Sequence, residues 1–230
     1  MPTALITGGS RGLGRALSLA LAERGWELVI DGRETEALAR IEAELAATTG
    51  RIHAVPGDVS DAEHRSALAA DVSSIGGLDL LVNNASILGP SPQPRLADYP
   101  LEELRRVYEV NTLAPLALAQ LLLPALRRSR GTVIDITSDA ASEAYEGWGG
   151  YGSAKAALDQ LSAVLAAEEP DLRIYAFDPG DMRTRMQQEA FPGDDISDRP
   201  EPHTVVPALL QLLAASPPSG RYRAADLALA

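Results

Sequence analysis

Along the 230 residues, short runs of β-branched and aliphatic positions alternate with longer stretches whose apolar residues recur at helical spacing. The candidate strands are ALIT from Ala4, ELVID from Glu27, RIHAVP from Arg51, LDLLVN from Leu78, GTVIDIT from Gly131, LRIYAFD from Leu172 and a weaker GRYRA from Gly220. Between them the spacing predicts helices over 13–24, 34–47, 61–72, 101–128, 151–168 and 204–215, with Gly25 and Pro170 placed where a helix should stop. Alternation of this kind predicts one α/β domain: a doubly wound parallel sheet of about seven strands with helices on both faces. The stretch 179–202 breaks the pattern, being rich in Pro, Gly and Asp and too long for an ordinary connection, so a substrate lid is expected around 181–202.

Composition narrows the function. Apolar residues make up 46% of the chain and aromatics 4%, so the core is expected to be aliphatic, leaving the few rings for special places. A net charge of −12 opposes nucleic-acid or anionic-membrane binding, both of which need a basic surface, and favours a small-molecule protein. The absence of cysteine excludes disulfides, thiolate zinc sites and thiol nucleophiles. His53, His64 and His203 are far apart and form no metal-binding pair, so no metal is expected. The segment MPTALITGG lacks a basic-then-apolar leader, and no run approaches the roughly 18 apolar residues of a membrane span, so a cytoplasmic location is expected.

Two segments invite a chemical reading. Thr7-Gly-Gly-Ser-Arg-Gly-Leu-Gly14 follows the first strand and opens the first helix. Glycines there let the backbone approach a diphosphate, and the helix amino terminus offers unpaired N–H groups; an ordinary strand-to-helix turn is the plainer alternative. The second segment, Tyr151-Gly-Ser-Ala-Lys155, holds the one lysine of a chain with 19 arginines. Residues four apart share a helix face, so Tyr151 and Lys155 can enter one cleft, where a compact ammonium is expected to lower the phenol from about 10 towards the range useful for acid–base work. An isolated match could instead be coincidence on a solvated helix. Ser138 ends the fifth strand, where ligands bind in such sheets, and its hydroxyl could hydrogen-bond a substrate oxygen or make a local turn.

The spacing Gly8, Gly12, Gly14 resembles the TGxxxGxG turn of the short-chain dehydrogenase/reductase family, and five further segments match that family in order over nearly the whole chain. Asp58-Val59 resembles its adenine-contacting pair, and Asn83-Asn-Ala-Ser86 its NNAG, with Ser86 in place of glycine. Asn111 resembles its helix asparagine, Ser138 the serine thirteen residues before the YxxxK tyrosine, and Pro179-Gly-Asp-Met-Arg-Thr184 the PGxxxT at the nicotinamide end. The resemblance implies a Rossmann-type fold and a catalytic set of Tyr151, Lys155, Ser138 and Asn111, the asparagine holding a water that relays protons to Lys155. It implies a cofactor site of Thr7, Gly8, Ser10, Arg11, Gly12, Leu13, Gly14, Arg33, Asp58, Val59, Asn84, Ala85, Tyr151, Lys155, Pro179, Gly180, Met182 and Thr184.

The expected chemistry is hydride transfer between nicotinamide and a carbonyl or secondary alcohol. NAD-using members place an acid eighteen residues after the last glycine of the turn; here that position is Gly32, with Asp31 one residue early. Arg11 and Arg33 could pair with a 2′-phosphate, so NADP(H) is expected over NAD(H). Tyr145, Trp148, Met186 and Phe191, with Leu88, suggest a small apolar or aromatic substrate, although Arg183 or Arg185 could favour an anionic one. The small residues Ser153, Ala154, Ala156, Ala157 and Ala163 allow close helix packing, and with the family's habit of pairing this helix they suggest a homodimer; the short tail after Gly220 lacks the ending many members use for tetramers. The alternative is a catalytically silent nucleotide-binding sensor, which would not need Tyr151, Lys155, Ser138 and Asn111 together.

Overall fold

The computed structural model describes residues 1–48 and 51–227. Seven strands, β1 (Thr3–Ile6), β2 (Glu27–Gly32), β3 (Ile52–Pro56), β4 (Leu80–Asn83), β5 (Thr132–Ile136), β6 (Arg173–Asp178) and β7 (Gly220–Arg223), form one sheet in the order β3-β2-β1-β4-β5-β6-β7. Every neighbouring pair is parallel. The chain winds from β1 out to β3, then returns to place β4 on the other side of β1. A crevice opens at that switch, at the carboxyl ends of the strands.

The strand sequences are apolar in succession because both faces of the sheet are covered. Ala4, Ile6, Leu28, Ile30, Val82 and Phe177 pack on one face with α1 (Gly12–Ala22), α2 (Thr35–Ala46) and α8 (Val206–Ala215). Leu5, Val29, Leu81, Val133 and Ile174 point the opposite way, against α3 (Ala62–Ile75) and α5 (Ala114–Ser129). Burying each such Leu, Ile, Val or Phe side chain contributes roughly 1.5–3 kcal/mol before ordering entropy is subtracted. On this second side α6 (Gly149–Glu168) lies beside the sheet and carries Tyr151 and Lys155 on its buried face.

Three elements depart from the pattern expected. The helix expected over 101–128 is α4 (Leu101–Tyr108) and α5 joined by a π turn, Glu109–Leu113, centred on Asn111. The wider turn rotates Asn111 inward, where its side chain binds the backbone of Ile87. Contrary to the sequence expectation, the continuous run Leu101–Ser129 is by length and composition long and apolar enough to cross a membrane. More than half of its most apolar window is buried within the protein, as in a core helix. The segment 179–202 is partly ordered by α7 (Arg185–Ala190) and by a bond from Arg183 N to Pro200 O at 2.8 Å. A last short helix, α9 (Ala224–Leu227), follows β7.

Candidate active site

The crevice is a cavity of about 760 Å³ that runs from the glycine turn, past Asn84 and Ser138, to the segment after β6. At its first end, Gly8 and Gly12 have φ of +65° and +54°, left-handed values that favour glycine. Gly14 is held for a different reason: a Cβ there would lie 2.4 Å from Gly8 O and 2.5 Å from Asn84 Nδ2. Asn84 Nδ2 donates to Thr7 O at 2.8 Å, while Thr7 Oγ1 accepts from the N–H groups of Asn84 and Ala85, both at 3.0 Å. The β1 turn and the β4 exit are thus tied together by side-chain-to-backbone bonds. Helix α1 begins with no side-chain cap and no acid in its first turn, so its leading N–H groups face the cavity free to bind an anion. These features fit the diphosphate of a dinucleotide.

Asp31 borders the cavity, but both of its carboxylate oxygens are engaged. It is buried, with Oδ1 accepting from Gly8 N at 2.6 Å and Oδ2 lying 3.0 Å from His64 Nε2. The carboxylate therefore fixes the glycine turn from below and anchors α3. Arg11 and Arg33 lie at the cavity rim, Arg11 paired with Glu34 and Arg33 with Asp58 at 3.8 Å. The Arg11 guanidinium holds the Glu34 carboxyl below the usual carboxylate range, and Arg185 of α7 adds to this from 3.2 Å.

At the second end the reacting side chains are brought together by close backbone packing. A Cβ on Gly152 would lie 2.5 Å from Ala140 O, so α6 sits directly on the turn that follows Ser138. Ser138 Oγ donates to Asp139 Oδ1 at 2.9 Å and accepts from Ala140 N at 3.2 Å. Lys155 is 2% exposed, donates to Ile136 O at 2.7 Å and lies 5.7 Å from the centre of the Tyr151 ring. Behind it, buried Asp135 accepts from Asn83 Nδ2 at 2.7 Å and Ser162 Oγ at 2.6 Å.

The electrostatics correct one expectation. Burial drives the Tyr151 phenol above its ordinary value; hydrogen bonding with Ser86 and Ser138 opposes the rise, and the Asp178 and Asp139 carboxylates add to it. Lys155 moves down to about 8, because burial penalises its cation more than Asp135 and Asp159 favour it. The net direction for Tyr151 is therefore upward, opposite to the sequence expectation. The Lys155 head is turned to the Ile136 carbonyl, and desolvation of the phenolate outweighs any attraction to it.

Most residues expected at the cofactor site line the cavity: Gly8, Ser10, Arg11, Gly12, Leu13, Arg33, Asp58, Val59, Asn84, Ala85, Pro179, Gly180, Met182 and Thr184. Thr7 and Gly14 stand behind that wall and shape it. Asn111 is fully buried; Oδ1 accepts from Ile87 N at 2.9 Å and Ser86 Oγ at 3.1 Å, and Nδ2 donates to Ile87 O at 2.8 Å. Its side chain is occupied with the β4 exit. Trp148 and Met186 line the cavity with Leu88. Tyr145 and Phe191 are set back, each packing on Trp148, at centroid distances of 6.4 and 6.0 Å. Sequence reasoning missed Ser86 as a partner of Asn111, Asp139 as the acceptor for Ser138, and Arg221, which reaches Ser138 O at 2.9 Å. Asp139 left a signal as the immediate neighbour of the serine, and Ser86 as the departure from glycine in the Asn83–Ser86 segment; Arg221 left none.

The profile of the short chain dehydrogenase family matches residues 2–195. A sepiapterin reductase of Meriones unguiculatus is 37% identical over 199 residues, covering 81% of this chain and 76% of its own length. Among solved structures, an alcohol dehydrogenase of the archaeon Thermococcus sibiricus complexed with 5-hydroxy-NADP superimposes with a TM-score of 0.87 at 29% identity, over 97% of this chain and 95% of its own. A short chain dehydrogenase of Shigella flexneri complexed with NADP gives 0.90 at 28% identity, over 97% and 96%. With the glycine turn, Ser138, Tyr151 and Lys155 gathered on one crevice, the chain belongs to the short-chain dehydrogenase family.

Proposed function

We propose that this member of the oxidoreductase family prefers NADP(H) and moves a hydride between nicotinamide and the carbonyl or secondary-alcohol carbon of a small apolar or aromatic substrate. The observation that carries the reading is the meeting of Tyr151, Ser138 and Lys155 at the far end of a cavity that begins at the uncapped amino terminus of α1. The nicotinamide, when bound, supplies the hydride. The chain's residues handle the proton and the geometry.

Tyr151 keeps its proton at neutral pH because burial disfavours the phenolate, which suits a general acid in carbonyl reduction. Ser138 orients the substrate oxygen when its hydroxyl turns from Asp139. Lys155 spends one of its three donors on Ile136 O and keeps two for ribose hydroxyls. Asn111 keeps Ser86 and Ile87 in place beside the tyrosine rather than offering a free amide.

Leu88, Trp148 and Met186 support an apolar substrate. Arg183 and Arg185 are already paired, with Glu201 and with Glu34 and Glu189, which disfavours an anionic one. NADP(H) preference rests on Arg11 and Arg33 at the rim and on the engagement of both Asp31 oxygens by Gly8 and His64; two structural neighbours carrying NADP or 5-hydroxy-NADP support it. Leu113, Leu121 and Val164 are 48%, 46% and 43% exposed on the α5 and α6 side, which supports a homodimer through these helices.

The test is Tyr151→Phe, assayed with a panel of carbonyl compounds by the absorbance of reduced coenzyme. We expect turnover to fall by about 10²–10⁴ with coenzyme affinity retained. Unchanged turnover would refute the assignment, and a wild-type protein that binds NADPH tightly but reduces nothing on the panel would instead be a nucleotide sensor.

A further inference from the structure

We propose that Arg221, on the edge strand β7, is a positioning residue that clamps the catalytic end together from behind. It rests on the reading of Ser138 and Tyr151 as reacting side chains. One guanidinium holds three separate elements. Its Nη2 donates to the backbone oxygen of Ser138 at 2.9 Å and to Asp178 Oδ2 at 3.1 Å, and its Nε donates to Asp159 Oδ2 at 3.1 Å. Those partners belong to the exit of β5, the end of β6 and the helix α6. The planar fork of an arginine suits divergent acceptors of this kind, which a lysine head cannot satisfy together in the same geometry.

Each contact leads to a group of the site. Asp178 Oδ1 accepts from Gly180 N at 3.0 Å, so Arg221 also steadies the Pro179–Gly180 turn of the cavity wall. Asp159 is one turn beyond Lys155 on α6, and its second oxygen is buried without a hydrogen-bond partner. Arg223 approaches Asp178 only to 3.9 Å. Asp178 is 3% exposed and Asp159 19%, so neither carboxylate is well screened by solvent if the guanidinium is removed. The charged groups acting on Lys155 are Asp135 from β5 and Asp159 from its own helix; those acting on Tyr151 are Asp178 from β6 and Asp139 from the turn after Ser138. Arg221 touches one of each pair.

The single lysine of the chain permits a direct measurement. In untagged protein grown with lysine carrying ¹³C at Cε, the one side-chain resonance titrates with Lys155. Removing a cation that neutralises Asp159 favours protonated Lys155, so Arg221→Gln is expected to raise the midpoint by about half a unit to one unit. Arg221→Lys, which keeps the charge, should return it to within about 0.3 unit of wild type. Arg221→Lys still loses the Ser138 carbonyl contact, so kcat on a panel substrate should fall by about tenfold while the KM for NADPH changes less than about twofold. An unmoved midpoint in folded Arg221→Gln overturns the proposal. Should that variant not fold, wild-type kcat in Arg221→Lys overturns it instead. The resonance needs no turnover, so a wild-type protein inactive on every substrate strikes at the assigned chemistry, whereas a static midpoint strikes at Arg221 alone.

Discussion

The two ends of the cavity are built from different materials. The nucleotide end is made largely of backbone: glycines at φ of +65° and +54°, a bare helix terminus, and an asparagine whose amide binds main-chain oxygens, with Arg11 and Arg33 out at the rim and Asp31 buried beneath the turn. The chemical end is made of side chains whose charges are buried, with Lys155 2% and Asp135 4% exposed. Apart from Asp31, buried beneath the turn, the first end should tolerate changes of charge and fail on changes of volume. The second should do the reverse.

The largest effect that would sharpen this contrast is at Gly14, where a new side chain meets Gly8 O and Asn84 rather than a movable group. Gly14→Val is expected to cost about 3 kcal/mol of stability, and to abolish NADPH binding in whatever protein still folds. Urea unfolding and NADPH fluorescence read both, and wild-type binding would mean that the turn is not held by volume.

The next prediction concerns the buried cation. The folded protein holds Lys155 at about 8, below the unfolded value of about 10.4, so the unfolded chain binds that proton more readily. Stability attributable to this group therefore rises as pH climbs from about 8 to about 10.4. Lys155→Met removes the group, and wild type should gain on it by about 1–3 kcal/mol between pH 7.5 and 10.5 in urea melts. Parallel pH curves would show that the charge is not desolvated.

The smallest effect is expected at the rim. Arg33 is half-exposed and its pairing with Asp58 is long, so Arg33→Ala should change stability little. It should lower the preference for NADPH over NADH by roughly fivefold, on the order of 1 kcal/mol. Equal loss for both coenzymes would remove Arg33 from the recognition of a 2′-phosphate.

What could be read from the sequence follows the same division. Strand and helix periodicity located all seven strands, and even the exposed β7 stands in register with β6 from Tyr175↔Gly220 to Asp178↔Arg223. The serine, tyrosine and lysine were legible because their spacing along the chain is set by one strand end and one helix. The direction of the Tyr151 shift was not, because it depends on how much water the folded protein excludes, which no local spacing encodes. Arg221 lies 83 positions from Ser138 and meets it only through the sheet order, and the π turn at Asn111 answers a contact with Ile87 24 positions away. Such features are products of tertiary contact.

Gly32 carries a consequence for redesign. A Cβ at that position would fall 2.8 Å from Ser10 Oγ and 3.2 Å from Ser10 Cβ. An acid grafted there to recruit the unphosphorylated coenzyme would first have to turn the Ser10 hydroxyl aside, so the rotamer at position 10 is coupled to the residue at position 32. Asp31 can be left alone in such an exchange, since its work is masonry.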